Sequence, residues 1–116
     1  MGHGIAFEFA KFGHDVTLYD ISLKNLKIAK NKIDKLISSS DNCDSYRKIT
    51  FIKNLKDSVV NAEIVVEAIN ENYQAKVDLY SRLEIFLDKN SLIFSNTSSL
   101  LPSKLSKNLD NPDRFF

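Results

Sequence analysis

Four short runs, VTLY (16–19), ITFI (49–52), AEIVVEA (62–68) and SLIFS (91–95), are spaced along the chain by segments of helical character. Runs of this length, β-branched or aromatic and bounded by polar residues, read as strands. Strands that alternate with helices imply a parallel sheet, because parallel neighbours need a crossover long enough to hold a helix. The chain is therefore predicted to be an α/β domain with a doubly wound parallel sheet.

The helices follow from apolar spacing. Ile5, Phe9 and Phe12, with Ala6 and Ala10 beside them, recur at helical period. Gly13 then stops that helix, since it tolerates a positive φ. Ser22 is an N-cap for a helix over 23–37, whose inward stripe is Leu26, Ala29, Ile33, Leu36 and Ile37. Lys24, Lys27, Lys30, Lys32 and Lys35 decorate the rest of it. Residues 38–45 read as a loop, and 57–61 as one or two helical turns at most. A further helix spans 72–87 and faces inward through Tyr73, Val77, Tyr80, Leu83 and Leu87. NTSS (96–99) is a polar turn; Pro102 opens a short helix over 103–109, and Asn111, Pro112 and Asp113 break it.

Composition excludes several classes. The 116 residues allow one domain at most, and 43% hydrophobic residues suffice for a packed core. Lys+Arg 16 against Asp+Glu 15 gives a net charge of +1, which argues against a nucleic-acid binder. No window approaches the roughly 20 consecutive apolar residues that span a bilayer, so no membrane partner is expected. The single cysteine, Cys43, can form no internal disulfide, which fits a reducing, cytoplasmic compartment. No metal is expected.

The opening GHG and Asp20 carry the first chemical hint. In a G-x-G-x-x-G fingerprint the third glycine lets helix and strand pack closely, and Gly2 fits that position with Ala6 one turn on. Gly4 is permissive but restores no fingerprint. Asp20 ends the strand at 16–19, where a carboxylate can accept hydrogen bonds from both hydroxyls of an adenosine ribose and would repel a 2′-phosphate. That selects NAD over NADP. An ordinary flexible start and an ordinary strand-ending aspartate are the competing readings of the two residues.

MGHGIAFEFAKFGHDVTLYDIS, IVVEAINENYQAKVDLYSRLE, IFSNTSSL and NPDRF together resemble the NAD-binding domain of the 3-hydroxyacyl-CoA dehydrogenases, in order and over nearly the whole chain. The resemblance implies a Rossmann-like domain over 1–116 and an oxidoreductase that moves hydride between NAD and the C3 hydroxyl of an L-3-hydroxyacyl-CoA. Its setting would be fatty-acid or butanoate metabolism, β-oxidation included. Members of the family carry a strand and two more glycines ahead of the position of Met1. Beyond a segment like NPDRF they carry another strand, a catalytic histidine and a helical C-terminal domain that makes the dimer contact. The chain is thus expected to be a partial dinucleotide-binding domain, with first strand, last strand and C-terminal domain missing. It should be poorly folded and inactive by itself, because unpaired backbone groups of a central strand cost about 1–3 kcal/mol each where they are buried.

By the same resemblance Glu71 binds the nicotinamide-side ribose, Lys76 contacts the cofactor nearby, and backbone around Ala68 lines the crevice. Ser98 positions the substrate C3 oxygen or the cofactor, and Asn96 sits beside the nicotinamide. The bland alternatives are solvated charges in a helix's first turns for Glu71 and Lys76, and turn capping for Asn96 and Ser98. His3 and His14 are assigned no role as the base. The lysine face of 23–37 either meets coenzyme A phosphates or is merely solvated. Two other functions stay open: a related NAD-dependent hydroxyacid dehydrogenase with a non-CoA substrate, and a non-catalytic nucleotide-binding remnant.

Overall fold

The structure is a computed structural model that describes residues 2–40 and 47–116, so Cys43 lies outside the described residues. They divide into two compact units, Met1–Ser58 and Val59–Phe116.

The first unit runs α1 (Gly2–Lys11), β1 (Thr17–Tyr19), α2 (Leu23–Ser39) and β2 (Thr50–Ile52), with the short α3 (Leu55–Val59) across the boundary. β1 and β2 pair in parallel, Thr17 opposite Thr50 and Tyr19 opposite Ile52. α1 ends as its glycine predicts. Gly13 has φ 87°, its N–H donates to the Ala10 carbonyl at 3.0 Å, and the His14 N–H reaches the Phe9 carbonyl at 3.2 Å. This pair of bonds is a Schellman cap, and the His14 ring closes it edge-on against Phe9 at 5.7 Å. Ser22 caps α2 by accepting from the Asn25 N–H at 3.3 Å.

The core of this unit is Ala6, Phe7, Ala10, Ile33 and Ile49, with Val16, Leu18, Leu36, Ile37 and Phe51 packed against it. The inward stripe of α1 is therefore rotated from the one its sequence suggests. Phe9 is 40% and Phe12 73% exposed, while Phe7 is buried. The small Ala6 and Ala10, one turn apart, let α1 lie close to β1 and α2, and Phe7 fills the space beside them. In α2 Leu26 and Ile33 are buried as expected, with Ala29, Leu36 and Ile37 half-buried.

The second unit runs β3 (Ile64–Glu67), α4 (Tyr73–Phe86), β4 (Leu92–Ser95), α5 (Pro102–Ser106) and a 3₁₀ turn (Pro112–Arg114). β3 and β4 pair in parallel from Ile64 opposite Leu92 to Glu67 opposite Ser95. Asn72 caps α4 by accepting from the Ala75 N–H at 2.9 Å, and Pro102 stands at the first position of α5. Tyr80, Leu83, Leu87, Ile93, Leu105, Leu109 and Phe115 are buried, Tyr80 meeting Phe115 edge-on at 5.3 Å. Arg114 ties the 3₁₀ turn to the end of α4 through Glu84 (2.8 Å) and the Asp88 carbonyl (2.7 Å).

The parallel strands form two two-stranded sheets, as expected of an incomplete doubly wound sheet, and no strand among the described residues hydrogen-bonds to both β1 and β3. Phe115 makes a parallel bridge with Ile93, the Phe116 N–H donates to the Ile93 carbonyl, and the Ser95 N–H donates to the Phe116 carbonyl, both at 2.8 Å. β3, within the apolar run at 62–68, buries one face only. Ile64 and Val66 are exposed on one side, and Glu67, on the other, is 2% exposed. Strand alternation explains the difference, since neighbours along a strand point to opposite faces. No helix among the described residues is long and apolar enough to cross a membrane.

Candidate functional site

β3 and β4 end in register, so Glu67 and Ser95 are cross-strand neighbours at the carboxyl edge of their sheet. That edge is where open α/β sheets bind ligands. The Glu67 carboxylate is buried and fully engaged. It accepts from Lys76 Nζ at 2.8 and 2.9 Å, Tyr80 Oη at 2.8 Å, Ser95 Oγ at 2.7 Å and the Ile69 N–H at 2.8 Å. Lys76 and Tyr80 are four residues apart on α4, so one helix face delivers both donors. A carboxylate and an ammonium this far from water persist only when each is paired and hydrogen-bonded. The Tyr80 hydroxyl is pushed well above its ordinary value, first by burial and then by the Glu67 carboxylate, so it stays a donor.

Lys76 also links Glu67 to Glu71, whose Oε1 lies 3.3 Å from Nζ. Glu71 in turn gathers the turn after β4. Its Oε1 accepts from Thr97 Oγ1 at 2.8 Å; its Oε2 accepts from the Ser98 N–H at 2.8 Å, Ser98 Oγ at 3.2 Å and the Ser99 N–H at 3.2 Å. These contacts hold the carboxyl down at about 2, the Ser98 N–H contributing most and the Thr97 hydroxyl next. Thr97 Oγ1 also accepts from the Leu100 N–H at 3.1 Å, and the Asn96 N–H extends the ladder to the Glu67 carbonyl at 2.8 Å. Asn96 and Ser98 are exposed, and Ala68 is half-buried.

In the first unit, Asp20 follows β1 and is half-buried. Its Oδ1 accepts from the Ser22 N–H at 2.8 Å and from Asn25 Nδ2 at 3.3 Å, while Oδ2 has, among the described residues, only the longer Asn25 contact at 3.4 Å. Acceptor capacity for hydroxyl donors therefore remains on Oδ2. Gly2 opens α1, whose first N–H groups have no acceptor within the helix. His3 lies in that first turn, its pKa lowered by burial and then by nearby positive charge, Lys32 included. A Cβ on Gly4 would meet nothing within 4 Å, so packing does not demand glycine there. An acid with acceptor capacity at a strand end and a helix start with spare donors are the kinds of group that a dinucleotide needs.

The family model for the NAD-binding domain of 3-hydroxyacyl-CoA dehydrogenases matches residues 1–116. The chain belongs to this family. Three solved structures illustrate the likeness. A 3-hydroxybutyryl-CoA dehydrogenase from Escherichia coli is 29% identical at a TM-score of 0.89, over 99% of this chain and 26% of its own. A 3-hydroxyacyl-CoA dehydrogenase from Archaeoglobus fulgidus is 34% identical at 0.81, over 99% of this chain and 36% of its own. A diketoreductase, described as acting on dicarbonyl compounds, is 29% identical at 0.89, over 98% of this chain and 44% of its own. The chain thus spans between a quarter and a half of the length of these relatives. The fold is the Rossmann-like α/β fold of this dehydrogenase family, and its cofactor is NAD.

Within this 3-hydroxyacyl-CoA dehydrogenase domain, the second unit brings Ala68, Glu71, Lys76, Asn96 and Ser98 to one sheet edge. Lys76 is not the solvated charge of the bland reading: it is 0% exposed, with Nζ beside both Glu67 oxygens and Glu71 Oε1. The Asn72 cap sets the phase of α4, and that phase puts Lys76 on the inward stripe with Tyr80 and Leu83. Tyr73, expected inward, is 42% exposed, and its hydroxyl accepts from Asn108 Nδ2 at 2.9 Å.

Glu67, Thr97 and Ser99 escape the sequence reading. The missed signal was an acid ending an apolar strand, followed by a lysine and a tyrosine four apart at inward positions of the next helix. Of the lysine face on α2, Lys27 and Lys30 join Lys48 along a shallow groove floored by Leu26, Ile49 and Phe51.

Proposed function

We propose that this chain is the cofactor-holding part of an L-3-hydroxyacyl-CoA dehydrogenase, acting on a 3-hydroxyacyl-CoA of fatty-acid or butanoate metabolism in the cytoplasm. When bound, NAD supplies the acceptor for the hydride that leaves carbon 3 of the substrate. Asp20 Oδ2 takes the hydroxyls of the adenosine ribose, and Gly2, at the third position of the fingerprint, lets the start of α1 pack closely. Glu71 accepts from the nicotinamide-side ribose, backbone around Ala68 lines that crevice, and Asn96 flanks the nicotinamide. Ser98 Oγ donates to the substrate C3 oxygen. Five donors already crowd the Glu71 carboxylate, which offers about four lone-pair directions. Ser98 Oγ, at 3.2 Å the longer of that residue's two contacts, is the one to turn toward substrate as a ribose hydroxyl takes its place.

Lys76 contacts the cofactor nearby and also orients Glu71, 3.3 Å from its Nζ. A base must take the hydroxyl proton as hydride leaves. Neither histidine suits, since His3 is in the first turn of α1 and His14 packs in the Schellman cap. The base, the helical part of the acyl-CoA site and the contact of a homodimer are therefore assigned outside residues 1–116, which are inactive alone. Nucleic acid and membrane are not partners.

The observation that carries this reading is the meeting of Glu71 with the Ser98 turn, in a chain that the family matches throughout. Calorimetry and steady-state kinetics on the intact enzyme test it. Asp20→Ala is expected to weaken NAD binding about 10- to 100-fold, the value of one to two charge-assisted hydrogen bonds. Ser98→Ala is expected to lower kcat with little change in the KM for NAD. Wild-type behaviour in both variants removes the assignments. The likeness to the diketoreductase supports a second reading, in which the substrate is a dicarbonyl or hydroxy compound without coenzyme A. Turnover of acetoacetyl-CoA against the free ketoacid separates the two.

A further inference from the structure

We propose that Glu67, through Lys76 and Ser95, is a positioning residue that sets Glu71 against the turn carrying Ser98. The proposal deepens the cofactor-site reading above and rests on it. Glu67 touches three pieces of chain that have to agree for the site to form. Its own strand turns into α4 under the Ile69 N–H bond, α4 is held by Lys76 and Tyr80, and β4 is held by Ser95, the residue before Asn96. Three of these partners are one step from the proposed site: Ile69 follows Ala68, Ser95 precedes Asn96, and Lys76 reaches Glu71.

Stability alone does not account for the arrangement. Well-packed apolar residues in place of a buried ion pair are often neutral or stabilising. What apolar residues cannot do is present a fixed positive charge to Glu71. Lys76 is 0% exposed, so its ammonium is placed by the groups packed around it and not by water. Two of its three hydrogens are directed at Glu67 Oε1 and Oε2, and that grip aims the third at Glu71 Oε1. Glu71 is then charged and oriented before any ligand arrives, and its Oε2 keeps the Ser98 and Ser99 N–H groups in line. Orientation prepared in this way is what lets a site spend its binding interactions on the ligand.

The test uses the intact enzyme and reads three quantities: the melting temperature, the NAD dissociation constant by calorimetry, and the pH midpoint of the Ser98 and Ser99 amide shifts, which report the Glu71 carboxyl. Glu67→Gln with Lys76→Met removes both buried charges together. The expected result is a melting temperature close to wild type, an NAD dissociation constant raised about tenfold or more, and an amide midpoint moved up from its acidic value. A double variant that melts, binds and titrates like wild type overturns the proposal. Should the double variant not fold, Ser95→Ala decides, since it removes a single hydroxyl. A shifted Ser98 amide midpoint with weaker NAD binding supports the proposal, and wild-type values for both overturn it. Asp20→Ala runs alongside as a control. If it binds NAD like wild type, the ribose assignment falls, while the Ser98 and Ser99 amides still report on Glu67.

Discussion

The two compact units treat polarity in opposite ways. In Met1–Ser58 the core is apolar throughout, from Ala6 and Phe7 to Ile33 and Ile49. Its candidate residue, Asp20, lies at the rim and is held by Ser22 and Asn25, two and five residues away. In Val59–Phe116 a carboxylate, an ammonium and a phenol share the interior with Leu83, Ile93 and Leu105. There the partners of Glu67 and Glu71 come from as far as 28 residues along the chain. An acid at a rim can be removed with its function alone, whereas an acid inside a core takes the surrounding structure with it.

The sharpest break of that contrast is Lys76→Met in the intact enzyme. It leaves Glu67 buried without its countercharge, a change that costs about 3–5 kcal/mol. Urea unfolding should show the loss as a lower midpoint at unchanged slope. A loss under about 1 kcal/mol would put the pair on a level with surface ion pairs such as Arg47–Asp15 and erase the difference between the units. Next in size is Ile33→Val in the apolar core. It should cost about 0.5–1.5 kcal/mol by the same measurement and leave NAD affinity unchanged. A fall in affinity would mean that the first unit's core and its rim are coupled after all.

The smallest effect at neutral pH, and the finest probe, is the titration of Glu71. Its folded value is depressed to about 2 from 4.5. A depressed carboxyl contributes stability that is present above its unfolded value and lost as pH falls through the folded one. The contacts of Glu71 with Thr97, Ser98 and Ser99 should therefore stay whole above pH 4.5 and loosen toward pH 2. The amide shifts of Ser98 and Ser99 should titrate with a midpoint near 2. A midpoint near 4.5 would show that the turn does not grip the carboxylate.

Much of the fold was legible where the governing contacts are local. Ser22 and Asn72 cap helices through their own third-residue N–H groups, Gly13 ends α1 through a positive φ, and Pro102 opens α5. The strands lie where the short apolar runs stand, each trimmed by one to three residues. Illegible from periodicity were the choices between adjacent faces. Phe7 rather than Phe9 or Phe12 enters the core because two alanines set how closely α1 approaches its neighbours. Lys76 rather than Tyr73 points inward because a buried acceptor waits for it. Glu71 and Ser98 were found through family resemblance, and the structure adds that they touch. Taken alone, Glu67 carries no such signal in the sequence, since a glutamate closing an apolar run looks like the strand's exit into solvent.

By itself, the sequence determined the order of strands and helices, their ends and their parallel pairing. Order and ends follow from periodicity and from caps that reach only a few residues, and the parallel pairing follows from the helix-length crossovers between strands. Only the tertiary structure decided which charges go inside and what they hold. A carboxylate can leave water only where an ammonium and several hydroxyl or N–H donors meet it at hydrogen-bond distance. For Glu67 those donors come from its own turn, the next helix and the next strand, and they meet only once the chain has folded.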